Sequence, residues 1–215
     1  MKKTIYEYQG AIFDLDGTLA DSMPLWDTLC RDWLSAEGKI PEEDLEMNIA
    51  CLPLQAAAQY VIHSYGFEYS PQEILAQWEG LVLECYKTTV PLKAQTAALV
   101  KELYGKGLKL AIVTSSFPTA CEGFLERHKL RPFFSAILYS DEVSKDKGFP
   151  GIWQDAARQL GLESAACIVF EDAYHALSGV RAAGMGFAAV YDERCKEWGL
   201  MKAQADWIVG AHRSL

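Results

Sequence analysis

No stretch of this chain is apolar for long enough to cross a membrane, and none of its six cysteines forms a Cys-x-x-Cys pair. The first absence argues against a membrane protein. The second argues against a zinc site or a disulfide framework, because Cys30, Cys51, Cys85, Cys121, Cys167 and Cys195 are scattered singly. Reduced, mostly buried thiols in a cytoplasmic protein are the expected state. Basic charge is also short: 20 Lys and Arg stand against 29 Asp and Glu, a formal net charge of −9. A general nucleic-acid binder carries a basic face, so no nucleic-acid partner is expected. An anionic small molecule stays open, since one local cation can reverse the field at a single site. Internal repeats, low-complexity tracts and Ser/Gly-rich linkers are absent too, and the first residues lack the long apolar region of a signal peptide.

What the chain does have is a short N-terminal stretch, Gly10-Ala11-Ile12-Phe13-Asp14-Leu15-Asp16-Gly17-Thr18-Leu19. A strand-forming apolar run delivers two aspartates spaced by one residue, and a glycine then lets the chain turn. Side chains at i and i+2 of a strand point the same way, so Asp14 and Asp16 leave the strand end as a converging pair. Two close carboxylates repel unless a cation or a proton offsets them. A metal site is one reading, and two solvated acids at a strand end the other.

Residues 20–90 read as almost wholly helical. Pro24 with Ser22 close by opens a first helix, whose apolar stripe Leu25, Leu29, Trp33, Leu34 runs to about Ala36. Pro41-Glu42-Glu43-Asp44 has the acid content of a helix's first turn, a third helix spans 53–65 before Gly66, and Ser70-Pro71-Gln72-Glu73 has the form of a capping box opening a fourth through Leu83. From Pro91 the pattern alternates. Helices are expected over 93–104, 119–128, 152–160 and 176–183, and strands over 109–114, 136–139, 166–170, 187–191 and 207–209. Apolar strands separated by helices imply an α/β fold, a doubly wound, Rossmann-like parallel sheet covered on both faces. Residues 20–90 are then a small helical cap inserted into a core made of 1–19 and 91–215. Ligands of such sheets bind beyond the C-terminal strand ends, and the polar groups singled out here all fall at such ends.

Four ordered motifs make the chain resemble the haloacid dehalogenase superfamily of phosphohydrolases. Phe13-Asp14-Leu15-Asp16-Gly17-Thr18-Leu19 matches the first, Thr114-Ser115 after the strand 109–114 the second, Lys147 the third, and Val169-Phe170-Glu171-Asp172-Ala173 the fourth. The resemblance implies Asp14 as nucleophile, Asp16 as general acid and base, Thr114, Ser115 and Lys147 as phosphate-binding groups, and a Mg²⁺ ion held by Asp14, Asp172, Glu171 and the backbone carbonyl of Asp16. It implies hydrolysis of a small phosphomonoester, a sugar phosphate among the candidates, by a monomer. The third motif departs from the family's Lys-Pro-x-Pro-Asp, reading Lys147-Gly148-Phe149-Pro150-Gly151, and Ala173 stands where many relatives have serine.

Two other readings stay open. A β-phosphoglucomutase-like mutase shares all four motifs but has a histidine four residues after the Ser/Thr of the first; here that position, counted from Ser22, is Trp26. A catalytically silent binding protein would keep the fold without the chemistry. Asp16 itself argues against dehalogenation. Neither Lys39 nor Lys87 lies where phosphonatases place their Schiff-base lysine. His63, His128 and His212 read as packing or surface residues, while His175, one helical turn after Asp172, is a further candidate for the site. The apolar loop 49–54 either faces the site or belongs to the core of the cap.

Overall fold

The computed structural model describes residues 3–49, 52–140 and 146–210. Ala50, Cys51 and His212 therefore lie outside the described residues. Strand β1 (Gly10–Phe13) is followed by four helices, α1 (Met23–Ala36), α2 (Leu45–Ile49), α3 (Leu54–Tyr65) and α4 (Pro71–Thr88). Then come α5 (Ala94–Gly105), β2 (Lys109–Thr114), α6 (Pro118–Arg127), β3 (Phe134–Tyr139), α7 (Pro150–Gln159) and β4 (Cys167–Glu171). Helix α8 (Ala176–Ala182), β5 (Gly186–Val190), α9 (Trp198–Gln204) and β6 (Trp207–Val209) complete the chain.

The six strands form one sheet in the order β3-β2-β1-β4-β5-β6, with every pairing parallel. The chain winds outward from β1 through β2 to β3, then returns to the other side of β1 with β4. The strand order thus reverses between β1 and β4, which opens a crevice beyond their C-terminal ends.

Alternation along each strand builds two cores. Ala11, Phe13, Leu110, Ile112, Ile168, Phe170, Ala188 and Val190 face one side, where they join an apolar cluster that continues into Trp33, Trp78 and Tyr86 of the helices between β1 and α5. Ile12, Ala111, Val113, Cys167, Val169, Phe187 and Ala189 face the other and meet α7 and α8 through Trp153, Ala156 and Val180. Both faces are therefore dry, which is why the strands read as continuous apolar runs.

Local chemistry explains most helix ends. Ser70 Oγ accepts from the Glu73 N–H at 3.3 Å, and the Glu73 carboxylate accepts from the Ser70 N–H at 2.7 Å, so α4 opens on the expected reciprocal cap. It runs on past Leu83 to Thr88 because Tyr86 continues its buried stripe. Gly66 closes α3 in the left-handed region at φ +65°. The acidic run 41–44 does not open a helix, which corrects the sequence expectation: α2 begins only at Leu45. The Glu42 carbonyl is engaged by Arg31 at 2.9 Å and its N–H by the Tyr65 hydroxyl at 2.9 Å, so this segment is a tether between α1 and α3. Helix α9 had no sequence signal, since it buries only Met201.

Cys30, Cys85, Cys121, Cys167 and Cys195 carry no disulfide. Among the described residues, no helix is long and apolar enough to cross a membrane.

Candidate active site

Asp14 is the residue after β1, and its N–H donates to the Phe170 carbonyl at 2.9 Å. That bond extends the β1–β4 ladder by one rung and sets Asp14 level with the end of β4. Carboxylate oxygens of Asp14, Glu171 and Asp172 consequently lie within 4.8 Å of one another, all three residues buried. Lys147, 5 % exposed, donates to Asp14 Oδ1 and, at 3.0 Å, to Glu171 Oε2. The other Glu171 oxygen accepts from the Ala173 N–H at 3.1 Å, so both of its oxygens are engaged. Thr18 Oγ1 donates to Asp172 Oδ1 at 3.1 Å.

The lysine is fixed from behind. Its carbonyl accepts from Trp153 Nε1 at 2.8 Å, and Gly179 on α8 approaches the 147–149 backbone so closely that a side chain there would overlap it. The departure from the family's third motif therefore leaves the ammonium in place.

Three buried carboxylates face one ammonium, and the electrostatics follow from that imbalance. Burial, then the charge of Glu171, push Asp14 up to about 6 although Lys147 pulls the other way. Asp172 is held well above the usual carboxylate range by burial, Glu171 and Asp14. For Lys147 burial opposes the charge, but Asp14 and Glu171 outweigh it and hold the ammonium above its ordinary range. Hard oxygen donors, dry surroundings and a shortage of positive charge are what a magnesium site offers. The residues present fit that ion.

Asp16 turns elsewhere. Its Oδ1 accepts from Ser22 Oγ at 2.7 Å, from Trp26 Nε1 at 2.9 Å and from the Tyr86 hydroxyl. Burial and the neighbouring Asp14 raise it to about 6, a value suited to giving and taking protons near neutrality. Thr114 ends β2, buried, with its Oγ1 accepting from the Ser116 N–H at 3.0 Å. Ser115 is exposed, whereas Ser116 is buried and its hydroxyl has no partner among the described residues. The first motif contains Thr18 without assigning it a role, and the motifs include neither Ser116 nor Tyr86; Tyr86 lies beyond Leu83, where the sequence pattern ends the fourth helix.

Of the remaining candidates, burial and then Lys147 lower His175 from its ordinary value. The His128 ring sits 3.2 Å from the Val90 carbonyl and packs on Phe124, a structural setting. In the loop 49–54, Ile49 and Leu54 pack on the apolar cluster and Leu52 is exposed. An open cleft of about 630 Å³ between Gln9, Arg158 and Leu162 lies at the opposite, N-terminal end of the strands and has no such acid cluster.

The profile of the haloacid dehalogenase-like hydrolases matches residues 11–190, which include every acid of this site. The chain belongs to that family. It is 30 % identical over 185 residues to fructose-1-phosphate phosphatase YqaB of Escherichia coli (strain K12), covering 84 % of this chain and 96 % of the relative. Hexitol phosphatase A of the same organism is 32 % identical over 187 residues, covering 85 % and 82 %. Among solved structures, CbbY from Rhodobacter sphaeroides in complex with phosphate superposes with a TM-score of 0.79 at 19 % identity, covering 94 % of this chain and 93 % of that one. A β-phosphoglucomutase from Thermotoga maritima gives 0.75 at 22 %, covering 93 % of each chain. These last two likenesses establish the fold. As a member of the family the chain is a phosphohydrolase, with the haloacid dehalogenase core built around β1.

Proposed function

We propose that this phosphohydrolase is a magnesium-dependent phosphatase of small phosphomonoesters, working through a phosphoryl group carried on Asp14. The observation that carries the reading is the buried Asp14–Lys147–Asp172 grouping at the point where the strand order reverses. Asp14, Asp172 and the Asp16 carbonyl would hold the ion, with Glu171 close enough to contribute while it anchors Lys147. When bound, Mg²⁺ supplies the positive charge that lets an anionic ester approach an anionic nucleophile.

The chain's own groups do the rest. Asp14 attacks phosphorus, and the bond to the leaving oxygen breaks. Asp16, whose hold on a proton is raised to about 6 by burial and the neighbouring Asp14, gives its proton to that oxygen. It then takes a proton from the water that attacks the aspartyl-phosphate, which restores Asp14 and releases phosphate. Lys147 and the donors at Thr114 and Ser115 stabilise the phosphoryl oxygens through both transfers.

Residues 20–90 serve in this reading as a helical cap that excludes bulk water and reads the leaving group, while 1–19 and 91–215 carry the chemistry. The phosphatase relatives named for fructose 1-phosphate and hexitol phosphates support a sugar or polyol phosphate as substrate. The mutase alternative is disfavoured by Trp26: its indole N–H binds Asp16, at the position where mutases carry a histidine.

A screen of phosphate esters with Mg²⁺ tests the reading. Phosphate release from at least one small ester is expected, and Asp14→Asn abolishes it while keeping the fold. Silence across a broad panel would defeat the proposal, and glucose 6-phosphate formed from β-glucose 1-phosphate would replace it with the mutase.

A further inference from the structure

The Asp16 side chain is gripped by one oxygen. Ser22 Oγ, Trp26 Nε1 and the Tyr86 hydroxyl all donate to Oδ1, and among the described residues no hydrogen bond reaches Oδ2. Trp26 Nε1 also lies 3.0 Å from the Tyr86 hydroxyl, so the two aromatic donors brace each other. Their rings are wedged against the α6 segment: Trp26 stacks on Phe117 at 6.4 Å, and Tyr86 meets Phe124 edge-on at 5.8 Å. Tyr86 is wholly buried. Neither Trp26 nor Tyr86 belongs to any of the four motifs.

We infer that Trp26 and Tyr86 are positioning residues for proton transfer: they pin Oδ1 so that Oδ2 carries the proton that Asp16 exchanges with the leaving group and with water. The inference rests on the phosphatase reading above. With three donors converging on it, Oδ1 has no lone pair left for a proton. Rotating the carboxylate would break all three bonds at once, two of them from groups held by packed aromatic rings. The free oxygen is thereby both the protonated one and the aimed one, and such orientation is a substantial part of a general acid's effect. Both donors come from α1 and α4, so the residues that orient the acid are supplied by the segment read as the cap rather than by the sheet.

Leaving-group dependence separates orientation of an acid from simple packing. An alkyl phosphate needs its departing oxygen protonated, whereas 2,4-dinitrophenyl phosphate expels a stable anion and gains little from an acid. For the full-length wild type, Tyr86→Phe and Trp26→Phe, kcat/KM is measured on glycerol 3-phosphate, or the best alkyl ester of the panel, and on 2,4-dinitrophenyl phosphate. Each variant is expected to lose about 10- to 100-fold on the alkyl ester, a share of the 10²–10⁴ that a general acid supplies. The loss on the aryl ester should be at least fivefold smaller. Thermal unfolding checks that each variant folds, and if one does not, the other carries the test. Equal losses on both esters, or no loss on either, would overturn the assignment and leave the pair as packing. A wild type that cleaves neither ester would instead defeat the phosphatase reading itself, and Asp14→Asn, which should lose both esters alike, keeps the two failures apart.

Discussion

A β-carbon at Gly17 would sit 2.5 Å from Cγ of Asp172, inside the carboxylate that the fourth motif supplies. Residue 17 also has φ +78°, where a side chain is strained. The glycine between the two aspartates and Thr18 is therefore needed twice, for the turn and for the space. Gly17→Ala is expected to displace Asp172, weakening Mg²⁺ binding at least tenfold by calorimetric titration and turnover by more. Unaltered magnesium affinity would show that Asp172 can move aside without leaving the ion.

Replacing Lys147 by methionine removes the ammonium that faces Asp14 and Glu171. Breaking a buried pair by deleting one partner costs about 3–5 kcal/mol when the remaining charge stays ionised. The loss should be large at pH 8 and much smaller at pH 5, where Asp14, already raised to about 6 beside the lysine, binds a proton. Urea unfolding with chelator at the two pH values gives the comparison. An equal loss at both would mean the lysine acts through packing alone.

The raised acids set the pH dependence of the metal-free protein. Asp14 and Asp16 move from an ordinary 3.8 to about 6 in the fold, so the folded state binds protons more tightly than the unfolded one. Their contribution is fully present below about pH 4 and is lost as pH rises through about 6, by up to about 3 kcal/mol for Asp14. With chelator the protein should therefore melt lower at pH 8 than at pH 5.5. Added Mg²⁺ should recover the difference at pH 8 and change little at pH 4.5. A melting temperature that rises from pH 5.5 to 8 in chelator would contradict this.

Gly179 offers a more distant handle on the same site. A β-carbon there would lie 2.8 Å from the Gly148 carbonyl carbon and from the Phe149 nitrogen, so α8 cannot keep its seat beside the lysine loop. Gly179→Ala is expected to cost about 1–3 kcal/mol as overpacking. It should also lower kcat by shifting Lys147. Full activity in a destabilised variant would confine the contact to folding.

Much of this was legible in the chain because several signals agreed. The run Ala11-Ile12-Phe13 before Asp14 specifies a buried strand, and the strand-end placement of Thr114, Glu171 and Asp172 follows from the same alternation. Element ends were less secure: 41–44 carries helix-opening acids but serves to tie α1 to α3, a long-range role that no local pattern encodes. Helix α9 carries no sequence signal because one buried residue, Met201, makes no stripe. Tyr86 was invisible for a different reason. It lies 70 residues from Asp16, and only the packing of α4 brings its hydroxyl to that carboxylate.

The two crossings into the helical segment are stitched to each other. Ala20 bridges Leu92, the Asp21 N–H donates to the Pro91 carbonyl at 2.9 Å, and the Lys93 N–H donates to the Leu19 carbonyl at 2.8 Å. Outgoing and returning chain thus share one narrow ribbon, with Asp16 three residues upstream of its first member, Leu19. A ribbon of that kind bends and twists as a unit, so neither side can be lengthened or cut without unpicking the other. Transplanting these helices onto a related core would have to carry both edges of the seam together.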